Sequence, residues 1–483
     1  MTTSTEKYST FIGLEIHIQL LTETKAFCGC PVHFGSEPNT NICPVCMGYP
    51  GVLPALNEKA LFMAYQVAVA LNCTLSPAAL FDRKNYFYPD MPKNYQISQF
   101  HSPIGREGFI DFPFRGDVRR IRIHDVHLEE DAGKMIHAGD ISLIDYNRAG
   151  TPLLEIVTEP DLTGGDETEA FIQYFRRFVR YLGVCDGNME EGSLRCDANI
   201  SIHNPGAGLG TKVEVKNLNS SRFVRLALDY EKERQAKLLD EGSRVQQETR
   251  LWNENRDLTV LMRKKEESHD YRYFPEPDLP PFRPDGDYLE SVKSSLPELP
   301  LRRLQRFVED YPLEEEQAAF LIDEMERADF FEETVKQGAG PVEVYRWLSG
   351  DVMRHLNRGH LGLRDSALSP KRLADILKMI DRERIHGKIA KKLLQAVFEE
   401  DRNPEEILRD RRMEQITDEK EILAFVRRVI QEDPAAAAQA AEGHEKVFGY
   451  FMGLVMKLSS GRADPKITRR ILEAEIKDSR KKE

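Results

Sequence analysis

The strictest constraint in the sequence is an alternation near its start. Ile12, Leu14, Ile16, Ile18 and Leu20 are apolar, and Gly13, Glu15, His17 and Gln19 fill the positions between them. Side chains on an extended chain point to opposite faces with a period of two. This stretch therefore reads as a strand with one face in a core and the other presenting a carboxylate, an imidazole and an amide in a row. Alone, such a face is better explained by contact with water than by a site. The pattern returns later with complementary chemistry. Leu194, Cys196, Ala198, Ile200 and Ile202 alternate with Arg195, Asp197, Asn199 and Ser201; Val213 and Val215 alternate with Lys212, Glu214 and Lys216; Leu154 and Ile156 flank Glu155. Several strands of this kind imply an open sheet whose wet face is a binding floor.

Acids recur at the exposed parity. Residues 119–131 are expected as a strand with Ile121, Ile123, Asp125, His127 and Glu129 on one side, running into the triplet Glu129, Glu130 and Asp131. Three adjacent acids repel one another unless water or a divalent cation compensates. Glu15, Glu129, Glu155 and Asp197 are thus candidate hard-oxygen ligands for Mg2+, with His17 in or beside the shell. Residues 81–96 are rich in aromatics and cations, and Pro89 and Pro92 exclude a regular helix or a central strand there. Phe81 and Phe87 suit packing, whereas Lys84, Tyr86, Lys93 and Arg195 are candidates for phosphate or acceptor contact. No G-x-x-x-x-G-K-[ST] phosphate loop occurs, and 206–210 reads as a hairpin loop.

Cys28-Gly29-Cys30 is followed after twelve residues by Cys43-Pro44-Val45-Cys46. Two close pairs across a short loop can set four thiolates tetrahedrally about Zn2+, and four sulfur ligands leave no open position, so such a metal holds the fold. Buried free thiols are the alternative. Seven cysteines, an odd number with four clustered, suit a reducing compartment, and Cys73, Cys185 and Cys196 read as ordinary buried residues. The first ten residues are polar, and nothing approaches the roughly 20 apolar residues of a membrane span. A cytoplasmic protein is expected.

With 483 residues, 41% hydrophobic and 30% charged, the chain has a globular composition and room for several domains. Helices are expected over 53–72, 168–182 and 223–239, and a covering loop over 268–284 closes a first domain near residue 290. Beyond Pro300 the texture becomes charged and helical, with helices expected over 314–327, 342–356 and 370–380. A net charge of −13 argues against a general nucleic-acid coat but allows a local basic patch. Residues 451–483 hold nine Lys and Arg against five acids, in two short helices divided at 461–465. There Lys457, Arg462, Lys466, Arg469 and Arg470 are either solvated charge or an RNA-backbone contact.

In this order the stretches resemble the B subunit of aspartyl/glutamyl-tRNA amidotransferases, the GatB family. The resemblance runs through Gly13-Leu14-Glu15-Ile16-His17, the four clustered cysteines, and residues 82–99, 127–134, 147–160, 186–199, 213–219, 269–280 and 443–475. It implies an α+β fold: an antiparallel-sheet cradle with a glutamine-synthetase-like path over 1–292, an all-α domain over 293–405, and a small helical, tRNA-binding tail over 406–483. It also implies a ligase working in a heterotrimer, beside an amidase that releases ammonia from glutamine (the A subunit) and a small third protein (the C subunit). A family member of this kind binds tRNA mischarged with Glu or Asp, phosphorylates that side chain with ATP, and lets ammonia displace the phosphate. ATP, Mg2+ and structural Zn2+ are the implied cofactors. Phosphoryl transfer needs positioning and charge neutralisation, which an acid-lined, cation-bearing sheet supplies. Two rivals share the features: a free-standing ATP-dependent carboxylate–amine ligase, and a zinc-stabilised RNA-binding scaffold without catalysis.

Overall fold

The structure, a computed structural model, describes residues 7–264, 271–441 and 445–479. Ser268, His269 and Asp270 of the expected covering loop lie outside the described residues. The chain divides into two compact units, Met1–Arg303 and Leu304–Glu483.

The first unit carries fourteen strands among its described residues: β1 (Ser9–Gln19), β2 (Thr74–Leu75), β3 (Asp82–Asn85), β4 (Tyr95–Ser98), β5 (Gly105–Phe114), β6 (Asp117–Glu130), β7 (Lys134–Ala138), β8 (Ile141–Asp145), β9 (Pro152–Thr158), β10 (Leu194–His203), β11 (Val213–Lys216), β12 (Glu248–Asn253), β13 (Leu258–Lys264) and β14 (Phe274–Pro275). Nine of them form one sheet in the order β13-β12-β11-β10-β1-β9-β6-β5-β2; β14-β3-β4 and β7-β8 stand as smaller sheets. The first strand therefore lies mid-sheet, between β10 and β9. Its alternation is realised as expected, for Ile12, Leu14, Ile16, Ile18 and Leu20 are at most 2% exposed. They share one core with α1 (Glu58–Ala70), α2 (Gly165–Tyr181) and α3 (Ser221–Asp240). Each such side chain stabilises the unit by about 1.5–3 kcal/mol.

Two features depart from the sequence reading. The large sheet is antiparallel except for β11–β12, which pair parallel. The chain between those two strands forms α3, and a helical crossover returns it to enter the next strand in the same direction. The second departure lies in β6. Ile121 and Ile123 are buried, but further on Val126 and Leu128 are buried instead, so the inward parity changes from odd to even. The change coincides with irregular pairing: Glu107 and His124 are left unpaired within a β5–β6 ladder of unchanged register, and the β6–β9 register slips between Ile123 and Asp125. One extra residue in a strand sends every later side chain to the opposite face. Ile121 and Ile123 thus do not share a face with Asp125, His127 and Glu129. The loop expected over 81–96 keeps Pro89 and Pro92 outside strands, and its two ends form β3 and β4.

In the second unit, the helix expected over 314–327 is two, Glu315–Ile322 and Met325–Lys336. The extended backbone at Glu324 re-aims the second, so that Phe330 and Phe331 join Leu321 and Ile322 in one core. The segment expected over 342–356 is interrupted by a π-turn at Leu348–Val352. The helix over Pro370–Asp381 is capped by the Ser369 side chain. A separate apolar cluster unites Glu419–Glu432, Glu445–Leu458 and Pro465–Ser479. Among the described residues no helix is long and apolar enough to cross a membrane.

Candidate functional site

Register turns the polar face of β1 into rungs that cross several strands. His17 stands opposite Glu155 of β9 and Arg195 of β10, and Glu155 stands opposite His127 of β6. The result is an unbroken row, His127–Glu155–His17–Arg195. Glu155 Oε2 lies 3.1 Å from His127 Nε2 and 3.2 Å from His17 Nε2. Asp125 Oδ1 holds the other ring nitrogen of His127 at 2.7 Å. Glu129, two residues beyond His127, lies 3.8 Å from His17 Nε2. One ligand atom each from His17, Glu129 and Glu155 fits within a mutual 4.8 Å.

The electrostatics of this group are unbalanced. Burial pushes the Glu155 carboxyl up, but His127 and His17 outweigh it and hold the group well below the usual carboxylate range. Burial disfavours the His127 imidazolium, yet Glu155 and Asp125 raise it well above its ordinary value. These two form an ion pair. Glu129 differs: burial, then the charge of Glu155, pushes its carboxyl up. It is 3% exposed and accepts one long hydrogen bond, 3.4 Å from Ser98 Oγ. Lys84 of β3 makes no hydrogen bond or ion pair among the described residues, and its Nζ sits 5.0 Å from the centre of the Tyr271 ring. Burial opposes its charge, and Glu129 foremost among its neighbours favours it. A buried carboxylate with one weak donor beside an ammonium with no acceptor is costly unless something bridges them. Two carboxylates and an imidazole at this spacing fit a hard divalent cation.

Glu15 and Asp197 gather one rung away with Glu214, again within 4.8 Å. Asn199 Nδ2 donates to Glu15 at 2.9 Å, and Thr249 Oγ1 donates to Glu214 at 2.7 Å. Lys216 ion-pairs with Asp197 and, at 2.9 Å, with Glu214. The candidate acids thus fall into two adjoining groups, one of them already holding a lysine. Arg195 stands on the same floor with its charge met by Asp131 at 2.6 Å, an oxygen that Gln19 also reaches at 2.8 Å. Lys93 pairs with Glu130 and lies near the rings of Phe27 and Tyr95, on a pocket shared with Cys28 and Cys46. Tyr86 packs edge-on against Tyr271, with centroids 6.2 Å apart. Sequence reasoning did not single out His127, Asp125, Glu214 or Lys216 as site residues. Each was visible as a polar member of an alternating strand, but only the pairing shows what it meets.

The sulfurs of Cys28, Cys30, Cys43 and Cys46 also lie within a mutual 4.8 Å. Tetrahedral zinc–sulfur bonds of about 2.3 Å would space them by about 3.8 Å, so the donor set fits zinc. The Cys43 amide donates to Cys46 Sγ at 3.2 Å. Hydrogen bonding from Cys28, with that amide, draws the Cys46 thiol down to about 4. Lys25, fully buried, brings Nζ to 3.6 Å from the same sulfur and offsets thiolate charge.

The sequence matches those of known proteins. Residues 10–290 match the family model described as the GatB/GatE catalytic domain, and residues 329–476 match the one described as the GatB domain. The chain is 44% identical over 474 residues to the B subunit of the aspartyl/glutamyl-tRNA(Asn/Gln) amidotransferase of Thermodesulfovibrio yellowstonii, covering 98% of this chain and 100% of that one. It is 45% identical to the protein of the same name from Persephonella marina, over 98% of this chain and 100% of the relative. The Thermotoga maritima counterpart is 47% identical over 475 residues, 97% of this chain and 98% of its own length.

Proposed function

Because the chain belongs to the GatB family, a family of B subunits for tRNA-dependent amidation, we propose that its sheet face carries the step that activates the carboxylate of a mischarged Glu-tRNA(Gln) or Asp-tRNA(Asn). The observation that carries this reading is the unbalanced group of Glu129, Glu155, His17 and Lys84. A carboxylate is a poor electrophile, and transfer of a phosphoryl group from ATP supplies a leaving group. Ammonia then attacks the acyl carbon, loses a proton and expels inorganic phosphate. Both steps concentrate negative charge, so the protein's task is to neutralise it and hold the reactants still.

Glu129, Glu155 and His17 would hold Mg2+, which neutralises phosphate oxygens when bound. His127 keeps Glu155 ionised and fixes its orientation, and Asp125 in turn fixes His127, the usual work of groups behind metal ligands. Lys84 supplies a positive charge above the same acids. Asp197 and Glu214 hold Lys216 one rung away, beside Glu15, where it can face the incoming carboxylate. The chemistry also needs a source of ammonia. In this reading an amidase, the A subunit, provides it, and a small C subunit makes up the rest of a cytoplasmic heterotrimer. The four cysteines hold structural zinc.

The test uses the assembled enzyme with mischarged tRNA, ATP and glutamine. Glu155→Gln should abolish tRNA-dependent ATP turnover and amide formation while leaving heterotrimer assembly and tRNA binding intact. Full amidation by that variant would refute the reading. Amidation of a free carboxylic acid without tRNA or partner proteins would instead identify a free-standing ligase.

A further inference from the structure

The Glu155–His127 end of the row lines a cleft of about 820 Å³, and the cleft has a second side of different character. Glu155, His127 and Lys84 line it near the row, while Phe100, Arg106 and Tyr273 line it elsewhere. Phe100 is 56% exposed. Its ring lies flat on that of Tyr273, with centroids 4.2 Å apart and planes 11° from parallel, and His101 meets it edge-on at 5.2 Å. Arg106 donates to the carbonyls of Phe100, at 3.5 Å, and His101, at 3.1 Å, and makes no ion pair among the described residues. Gln99, 3% exposed, lines the cleft as well; its Oε1 accepts from the Leu128 amide at 2.9 Å, but its Nε2 is buried without a partner among the described residues.

The backbone at this rim is strained. Glu107 has φ of 55°, in the left-handed region that a non-glycine residue seldom adopts, and it lines the cleft with His124, both left out of the β5–β6 ladder. Such strain persists where the surrounding structure over-determines it, often at ligand sites.

A pre-stacked aromatic pair in solvent and a guanidinium without a carboxylate partner among the described residues, on one cleft wall, are the complement of a planar, nitrogen-rich ring. The volume is that of a small-molecule site. We propose that Phe100 and Tyr273 form a stacking platform for an adenine base, that of the nucleotide whose phosphates meet the acid row. This rests on the reading of the acid row as a Mg2+–nucleotide site. The terminal adenosine of a tRNA presents the same ring, so the two sources must be separated by experiment.

Calorimetric titration of the assembled enzyme with MgATP, with magnesium tripolyphosphate and with a CCA-ended minihelix separates them. Phe100→Ala should weaken MgATP binding by about 5- to 150-fold, the range for loss of one base–aromatic stack. It should leave tripolyphosphate and minihelix affinities unchanged, and Phe100→Trp should retain MgATP affinity. Three results would each overturn the platform: MgATP affinity unchanged in Phe100→Ala, equal loss of MgATP and tripolyphosphate, or loss confined to the minihelix. A wild-type enzyme that binds no MgATP would overturn the underlying reading; normal wild-type binding with an indifferent variant would overturn the platform alone.

Discussion

Glu129, beside the row, is 3% exposed and comes no nearer to His17 Nε2 than 3.8 Å, which sets its stability against its use. A buried carboxylate held by a single long hydrogen bond destabilises the fold, whereas a neutral amide of the same shape can keep that bond without the charge. Glu129→Gln should therefore unfold at an equal or higher temperature than wild type while amidation falls by more than about 100-fold, the order expected when one preorganised charge is lost. Thermal unfolding and kcat measured on one preparation check both. A variant both less stable and fully active would mark Glu129 as structural. The identities of Glu15, His17 and Glu155 were legible because parity alone puts them on the polar face. Their division into two groups was not, because it depends on which residue of β9 or β10 stands opposite each, and no local pattern encodes register. Lys84 could be named as a cation near aromatics, but its lack of an acceptor exists only in three dimensions.

Elements were legible where one rule governs their whole length. The α2 helix spans Gly165–Tyr181 against an expectation of 168–182, and α1 begins at Glu58 because the Asn57 side chain accepts from the Ala60 amide, later than apolar content at 53–56 suggested. Elements failed where a second rule intervened: the extra residue in β6, the extended Glu324 that splits a charged helical run, and the π-turn after Trp347. Single-residue irregularities leave composition and periodicity almost unchanged, so they escape a window wide enough to detect a helix. The cysteine knuckle is the opposite case, where spacing alone announced the cluster. Its packing makes a prediction at this scale. The Ala26 amide donates to the Gly150 carbonyl at 2.8 Å, and Lys25 reaches from Cys46 to the Tyr146 carbonyl at 3.2 Å, so the knuckle is tied to the chain that enters β9. Cys43→Ser should lower zinc from about one per chain and reduce the yield of folded protein. Elemental analysis and thiol titration check this; wild type without zinc and with four titratable thiols would count against it.

For the whole molecule, the open question is how a chain of net charge −13 addresses a polyanion. The basic tail is less free than its sequence suggests, since Arg469 pairs with Glu473 at 3.1 Å and Arg470 with Glu419. Lys457 is exposed and makes no ion pair among the described residues, and Arg462 donates its Nε to the Ser459 carbonyl at 3.3 Å. Phe451, Val455, Leu472 and Ile476 are core, so removing the tail would unfold its neighbours and confuse any binding measurement. The cleaner variant is Lys457→Ser with Arg462→Ser in the assembled enzyme. It should weaken tRNA binding and flatten the log–log salt dependence by up to about 0.7–0.9 per lost contact, mainly through KM. An unchanged slope would leave these residues as solvated charge. The apolar clusters themselves have a further consequence. Among the described residues the tail encloses ten buried apolar residues in a cluster of its own, far fewer than the main core of the first unit or the larger one of the second. Stability rises with the surface a body can hide, so separate cores of unequal size need not melt together. Differential scanning calorimetry should resolve more than one endotherm, the smallest and coolest from the tail. If the basic residues of the tail hold tRNA, the enzyme would on warming lose affinity for tRNA before it loses the ability to activate a carboxylate, so that capture of the substrate, not its activation, sets the upper working temperature.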